Sequence, residues 1–248
     1  MTIFEHIKKQ HENIKSRPKE ERWSYFWDYY KWHALAIVLA IAILIQGVVS
    51  VVNRKETVFS GILLNCMIRI DDEAFLQGFY DRVDINEKKQ QVAFYTDIIL
   101  TDNNNKSDIT AFQRIMAGIA TKETDFIVGQ KDNFQLCAYN TSRMLMDLRE
   151  FLDKDTLDTL SDRLYYIDGA VLNKLSVPVG ELQDPNIKIP DPLKPEAMED
   201  PIPVGIDVSD LEDFQSAYYF PDTTLYLGVI ANTARPEMTR DFIDYLFS

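Results

Sequence analysis

Histidine occurs three times in the 248 residues, at His6, His11 and His33, and all three precede an uncharged apolar run that begins at Ala34. The chain beyond that run has no side chain whose ordinary titration falls near neutral pH. Ser-His-Asp and Cys-His catalysis and His-containing zinc sites are excluded there. Cys66 and Cys137 are the only thiols, too few for a Cys-only zinc site. Both lie among apolar neighbours, so two buried free thiols are expected rather than a disulfide. The loop "DNNNKSD" (residues 102–108) has the oxygen-rich look of a calcium loop. Counted from Asp102, however, it puts Lys106, Ser107 and Gln113 where an EF-hand needs an oxygen ligand, Gly and Glu. A solvated turn leading into a helix cap is the better reading. Neither a P-loop nor a dinucleotide-binding glycine pattern occurs, so no cofactor is expected. Carboxylates alone can hydrolyse glycosides, but none of the many acidic pairs stands out. The residues therefore point to a non-catalytic protein.

Charge is unevenly distributed. The net charge is -13. Residues 1–33 carry 7 Lys/Arg and 5 acids, which leaves 19 bases against 34 acids in the remainder. An acidic body argues against nucleic acid, which is bound through clustered Lys and Arg.

Residues 34–52 carry no formal charge, and only Gln46 and Ser50 are clearly polar. As a helix this run spans about 28 Å, close to the hydrocarbon thickness of a bilayer. It is too long and too far from the N-terminus for an ordinary signal peptide, and too uniformly apolar for an ordinary core helix. An uncleaved transmembrane helix is expected. Seven aromatics crowd into residues 23–32, and Trp23, Trp27, Tyr30 and Trp32 suit the headgroup layer, where ring and polar edge are both accommodated. Trp23, Phe26, Trp27 and Tyr30 fall at helical spacing, which allows the segment to lie along the interface before turning in. Seven bases before the run, against Arg54 and Lys55 just after it, place the N-terminus in the cytoplasm and the acidic body outside. The bilayer is thus the first expected partner. Three regions follow: a tail with an aromatic interfacial segment (1–33), a membrane helix (34–52) and an extracytoplasmic domain (56–248).

Beyond residue 56 the apolar pattern shifts from a helical to a strand period. "TVFSGILLNCMI", "QVAFYTDIIL" and "TDFIVG" read as strands. A helix with Phe75, Leu76, Phe79, Tyr80 and Val83 on one face follows the first, and one with Ile109, Phe112, Ile115, Met116 and Ile119 follows the second. Thr141 and Asp155 read as caps of two further helical runs. Seven of the ten prolines fall between residues 177 and 204, a density that breaks helices and avoids central strands. "IPVGIDVS" and "TTLYLGVIANT" restore strand character, and Pro236 opens a last helix. The expected fold class is α/β, with one N-terminal transmembrane helix followed by an open, mainly parallel sheet with helices on both faces.

Three phrases resemble the extracellular solute-binding proteins of bacterial ABC importers. The first holds Ala117-Gly118, a strand starting at Asp125, and Met146-Asp147-Leu148. The second, "LYYIDGAVLNKLSVPVG", is similar to a hinge with Asp168-Gly169, a strand, then Pro178-Val179. The third is the closing strand and helix, "YLGVIANTARPEMTRDFIDYLFS". Between Gly169 and about Asp222 the chain is too short for a full second lobe, so the resemblance implies one reduced periplasmic-binding-protein lobe, tethered by a helix. It also implies a ligand at the carboxyl ends of the strands. That nominates Asp102 and Asn103 after the second strand, Gln130 after the third, and Tyr165, Tyr166 and Asp168 at the hinge. The partner is then a small solute or, if binding has been lost, another membrane protein. Protease added to spheroplasts is expected to digest residues 56–248 and leave a short protected N-terminal fragment. A fully protected body would contradict this orientation.

Overall fold

The computed structural model of the chain describes residues 19–69, 72–101, 106–176, 187–222 and 224–248, without the side chains of 19–26, 28–30, 50–51 and 106–107. Two compact units are present, residues 1–54 and residues 55–248.

The first unit is built on one helix, α1 (Lys19–Val52). At 34 residues it is about 51 Å long, and it continues from the aromatic segment into the apolar run without a break. An interfacial segment that turns before entering the bilayer is therefore not what forms. No proline interrupts residues 19–52, so the backbone has no reason to turn. Among the described residues, 31–49 make one helical stretch long and apolar enough to cross a membrane, and it is wholly exposed. Trp32 is 70% exposed.

The second unit is α/β. Its strands are β1 (Glu56–Leu63), β2 (Met67–Ile68), β3 (Gln90–Tyr95), β4 (Phe126–Gln130), β5 (Leu164–Asp168), β6 (Pro201–Asp207), β7 (Tyr218–Tyr219) and β8 (Leu225–Val229). Six of them form a sheet in the order β3-β1-β4-β8-β6-β5, and β2 pairs with β7 apart from it. The sheet is mixed rather than mainly parallel. Only β1 with β3 and β1 with β4 run parallel, whereas β4 with β8, β8 with β6 and β6 with β5 are antiparallel. Alternating strand and helix segments suggested βαβ crossovers throughout. The C-terminal β8 instead inserts between β4 and β6, and β8 and β5 run against the other four strands.

Helices cover both faces. On one, α2 (Asp72–Val83), α5 (Leu148–Phe151), α8 (Glu212–Ala217) and α9 (Pro236–Leu246) bury Phe75, Phe79, Phe151, Phe214 and Phe242 against Phe59 and Phe126. On the other, α3 (Lys106–Ala120), α4 (Lys131–Ala138) and α7 (Gly169–Leu175) bury Ile115, Phe134 and Leu172 against Ile62, Ile127, Tyr165 and Tyr226. The period-2 rule is plain in β4, where Phe126 and Val128 enter one core and Ile127 enters the other. Gly61 lies opposite Phe126 in the register, and any side chain there would run into the Phe126 ring. Ile109, expected in the stripe of α3, is exposed.

Several local expectations yield to tertiary context. Residues 96–100 leave the sheet, because Asn65 clamps Leu100 by both backbone groups at 2.7 Å. Asp153, not Asp155, caps α6 (Lys154–Thr159), accepting from the Thr156 amide at 3.0 Å. Helix α7 stands where a strand was expected after Asp168-Gly169. Pro203 lies inside β6, an interior strand. Its missing N–H is tolerated because the β5 register slips beside it, between Tyr165 and Tyr166, and because β6 meets β8 only at Ile206 and Asp207. Both sheet edges are closed locally. Val92 on β3 donates its amide to the Tyr80 hydroxyl, and Tyr166 on β5 donates to the Pro192 carbonyl.

Cys66 and Cys137 are free and buried, and burial pushes each thiol up to about 12.

One polar network crosses the apolar interior. Asp125, just before β4, is fully buried and accepts from the Ser60 amide at 2.8 Å, the Thr233 hydroxyl at 2.6 Å and the Arg235 guanidinium at 2.8 Å. Replacing Asp125 with Ala is expected to cost about 3–5 kcal/mol, since it strands a largely buried arginine. Urea unfolding of the full chain in detergent, followed by far-UV circular dichroism, measures the loss.

Candidate functional site

Strands β1, β3, β4 and β6 end on one edge of the sheet, here the carboxyl edge. Antiparallel β5 and β8 start there and end on the opposite, amino edge. This arrangement divides the residues nominated from the sequence. Gln130, the last residue of β4, stands at the carboxyl edge, whereas Tyr165, the second residue of β5, lies within the sheet level with Ile127. Asp168 terminates β5 at the amino edge, since a five-residue strand carries the chain about 13 Å across the sheet. Tyr165 and Tyr166 are consecutive in a strand, so they enter opposite cores. Asp102 and Asn103 lie outside the described residues.

Asp168 has a structural task. Its carboxylate caps α7 through the Ala170 amide at 2.9 Å and holds the amides of Glu199 at 3.0 Å and Asp200 at 3.1 Å. Its own amide donates to the Tyr139 hydroxyl at 3.0 Å. Burial opposes the charge, but those amides prevail and hold the carboxyl below its ordinary range. Tyr166 is half-buried, and burial raises its hydroxyl.

The carboxyl edge and the core beneath it are different in kind. The Tyr165 ring is fully buried between Phe134, with ring centroids 5.0 Å apart, and Tyr226, at 4.7 Å. Among the described residues its hydroxyl has no hydrogen-bond partner. Asn133, in the first turn of α4, is 5% exposed and donates its side-chain amide to Gln130 Oε1 at 3.2 Å, while its Oδ1 is also without a partner. Burial raises the Tyr165 and Tyr226 hydroxyls, and electrostatic repulsion adds to it: from Tyr139 and Tyr226, then Asp132 and Asp191, for Tyr165, and from Asp207 and Asp191 for Tyr226. A buried donor–acceptor and a buried acceptor, in a negative field, favour a species that donates hydrogen bonds.

Sequence reasoning missed Asn133 and Tyr226. Asn133 carries a weak signal, being three residues past the end of a strand on the first helical turn. Tyr226 carries none, because an aromatic within a strand looks like core wherever it points.

Two of the surface grooves among the described residues lie elsewhere. One of about 630 Å³ runs along α3 past Ile109, Phe112 and Met116. The other, about 300 Å³, lies between α3 and β3 near Tyr95, Arg114 and Glu123. Neither is lined by any nominated residue. Among the described residues no cluster of His, Cys, Asp and Glu could hold a metal ion. No family model, curated protein or solved structure matches the chain.

Asp168→Ala is expected to lose about 1–3 kcal/mol of stability at neutral pH. A carboxyl with a depressed folded-state pKa stabilises above its unfolded value, near 3.9, and that contribution fades as pH falls through the folded value. The gap between wild type and Asp168→Ala should be constant from about pH 7 to 5 and narrow below about pH 4. Urea unfolding at several pH values tests this, and a gap that widens in acid would contradict it.

Proposed function

We infer that this is a membrane-anchored, extracytoplasmic recognition module of the solute-binding kind, without catalytic activity. The observation that carries the reading is the carboxyl edge of the sheet. There Gln130, the last residue of β4, accepts from Asn133, a buried residue whose Oδ1 has no partner among the described residues, at the end of an α/β sheet where ligands are generally bound. The body's lack of histidine and the resemblance at Asp125, Asp168 and the closing strand and helix support it. The apolar stretch of α1 and the flanking bases support an anchor with the N-terminus in the cytoplasm.

A second reading, an accessory subunit that binds another membrane protein, is favoured by one feature. Met67 and Ile68 on β2 are 59% and 54% exposed beside a partly exposed Tyr219, an apolar strip on a two-stranded ribbon.

A melting screen of the full chain in detergent separates the two. A bound solute at a hundredfold excess over its dissociation constant should add about 2.7 kcal/mol, a rise of roughly 5–10 °C for a chain of this size. A rise with a sugar, amino acid, peptide or amine supports the recognition module. No rise with any solute, together with co-purification of a membrane protein that is lost in the double variant Met67→Asp/Ile68→Asp, supports the accessory subunit.

A further inference from the structure

We propose that α1 pairs in parallel with α1 of a second copy of this chain, and that the two Gln46 side-chain amides hydrogen-bond to each other across the pair. The proposal rests on the membrane-anchor reading above and names the partner of that anchor.

Three observations lead to it. The first is the amide itself. Gln46 is the one amide side chain in the uncharged run 34–52, three residues past its midpoint. That is about 4.5 Å along the helix axis, well inside the ~15 Å half-thickness of a bilayer's hydrocarbon. The side chain is exposed and has no hydrogen-bond partner among the described residues. Hydrocarbon offers nothing that could supply one, so the group is costly until a second polar side chain meets it.

The second is where the amides lie. Alternating steps of four and three residues keep to one face of a helix that packs on another at a shallow angle. From Leu35 these steps pick out Leu39, Ala42, Gln46, Val49 and Asn53. All six are exposed. The Asn53 backbone amide donates to the Val49 carbonyl at 2.9 Å, so the helical course extends to it. Both amide side chains of residues 35–53 therefore stand on one line, two turns apart. A polar residue in such a seam fixes its register, because any slip leaves it facing apolar side chains.

The third is the chemistry of a match. A carboxamide carries two donors and an acceptor, so it complements a copy of itself. In a parallel pair each residue meets its counterpart at the same depth, which brings amide to amide without adjustment. The same flanking bases insert both copies in the same direction. Gly47, next to Gln46, has nothing within 4 Å of where a side chain would start, which leaves room for a close approach of the two backbones.

The test combines sedimentation equilibrium of the full chain in density-matched detergent micelles with oxidative cross-linking of the full chain in phosphatidylcholine vesicles. Wild type should dimerise reversibly. Gln46→Leu should weaken the dimer about 3- to 30-fold, and Gln46→Asn, which keeps the amide, should retain most of the affinity. Val49→Cys, on the seam, should cross-link to a dimer, whereas Val48→Cys, on the far side from Gln46, should not. Wild type, whose Cys66 and Cys137 are buried, is the blank. A monomer at every protein-to-detergent ratio would overturn the proposal. So would equal cross-linking at both positions, or a Gln46→Leu dimer as tight as wild type. In each of these cases the anchor reading stands as long as the chain stays with the vesicles through an alkaline wash. Release of the chain in that wash would remove the anchor and the pairing together.

Discussion

A fully buried carboxylate, Asp125, organises the second unit. Desolvating it costs several kcal/mol unless the surrounding groups restore what water gave, and here they come from two distant parts of the chain. Ser60 on β1 supplies an amide, Thr233 a hydroxyl and Arg235 a guanidinium, and Arg235 also donates to the Thr57 carbonyl. The backbone of Asp125 adds two more links, donating to Ser60 and accepting from Ile230. Thr233 and Arg235 are within reach only if β8 leaves the sheet at the amino edge. Its antiparallel register against β4, with Val229 opposite Phe126, delivers them there. The ion pair and the mixed sheet are thus one constraint seen twice.

From that reversal follows the division of the sheet into two functional edges. The amino edge gathers charge that is already committed: Asp125 to Arg235, and Asp168 to the amides at the start of α7 and at Glu199 and Asp200. These groups hold turns in place. At the carboxyl edge Asn133 is short of a partner among the described residues, as is Tyr165 within the sheet. A satisfied network is rigid, whereas an unsatisfied group retains hydrogen-bonding capacity.

The two faces of the sheet differ in a related way. One core is a nearly continuous set of phenylalanines, with Phe126 and Phe242 stacked at 4.8 Å and Phe59 and Phe126 at 5.3 Å. Offset and edge-to-face rings fill most of that volume, with the buried Tyr218 among them. The opposite core includes Tyr139, Tyr165 and Tyr226. The Tyr139 hydroxyl accepts from the Asp168 amide, and the Tyr165 hydroxyl has no partner among the described residues.

The sequence alone determined whatever depends on composition and near neighbours. The uncharged run predicted a long apolar helix, the absence of histidine beyond it narrowed the chemistry, and strand and helix periods located most elements, because burial of one face imposes a period on the chain itself. Gln130 and Tyr165 were nominated through the resemblance instead, Gln130 as the residue after a strand and Tyr165 at the hinge. Tertiary structure alone decided strand direction, and with it the fate of Asp168, which reads as a ligand group if β5 is parallel and becomes a cap on the far edge once it is not. It also decided the partners of Asp125, since Arg235 lies 110 positions away. Periodicity carries information over a few residues, whereas direction and pairing are settled by contacts between segments far apart in the chain.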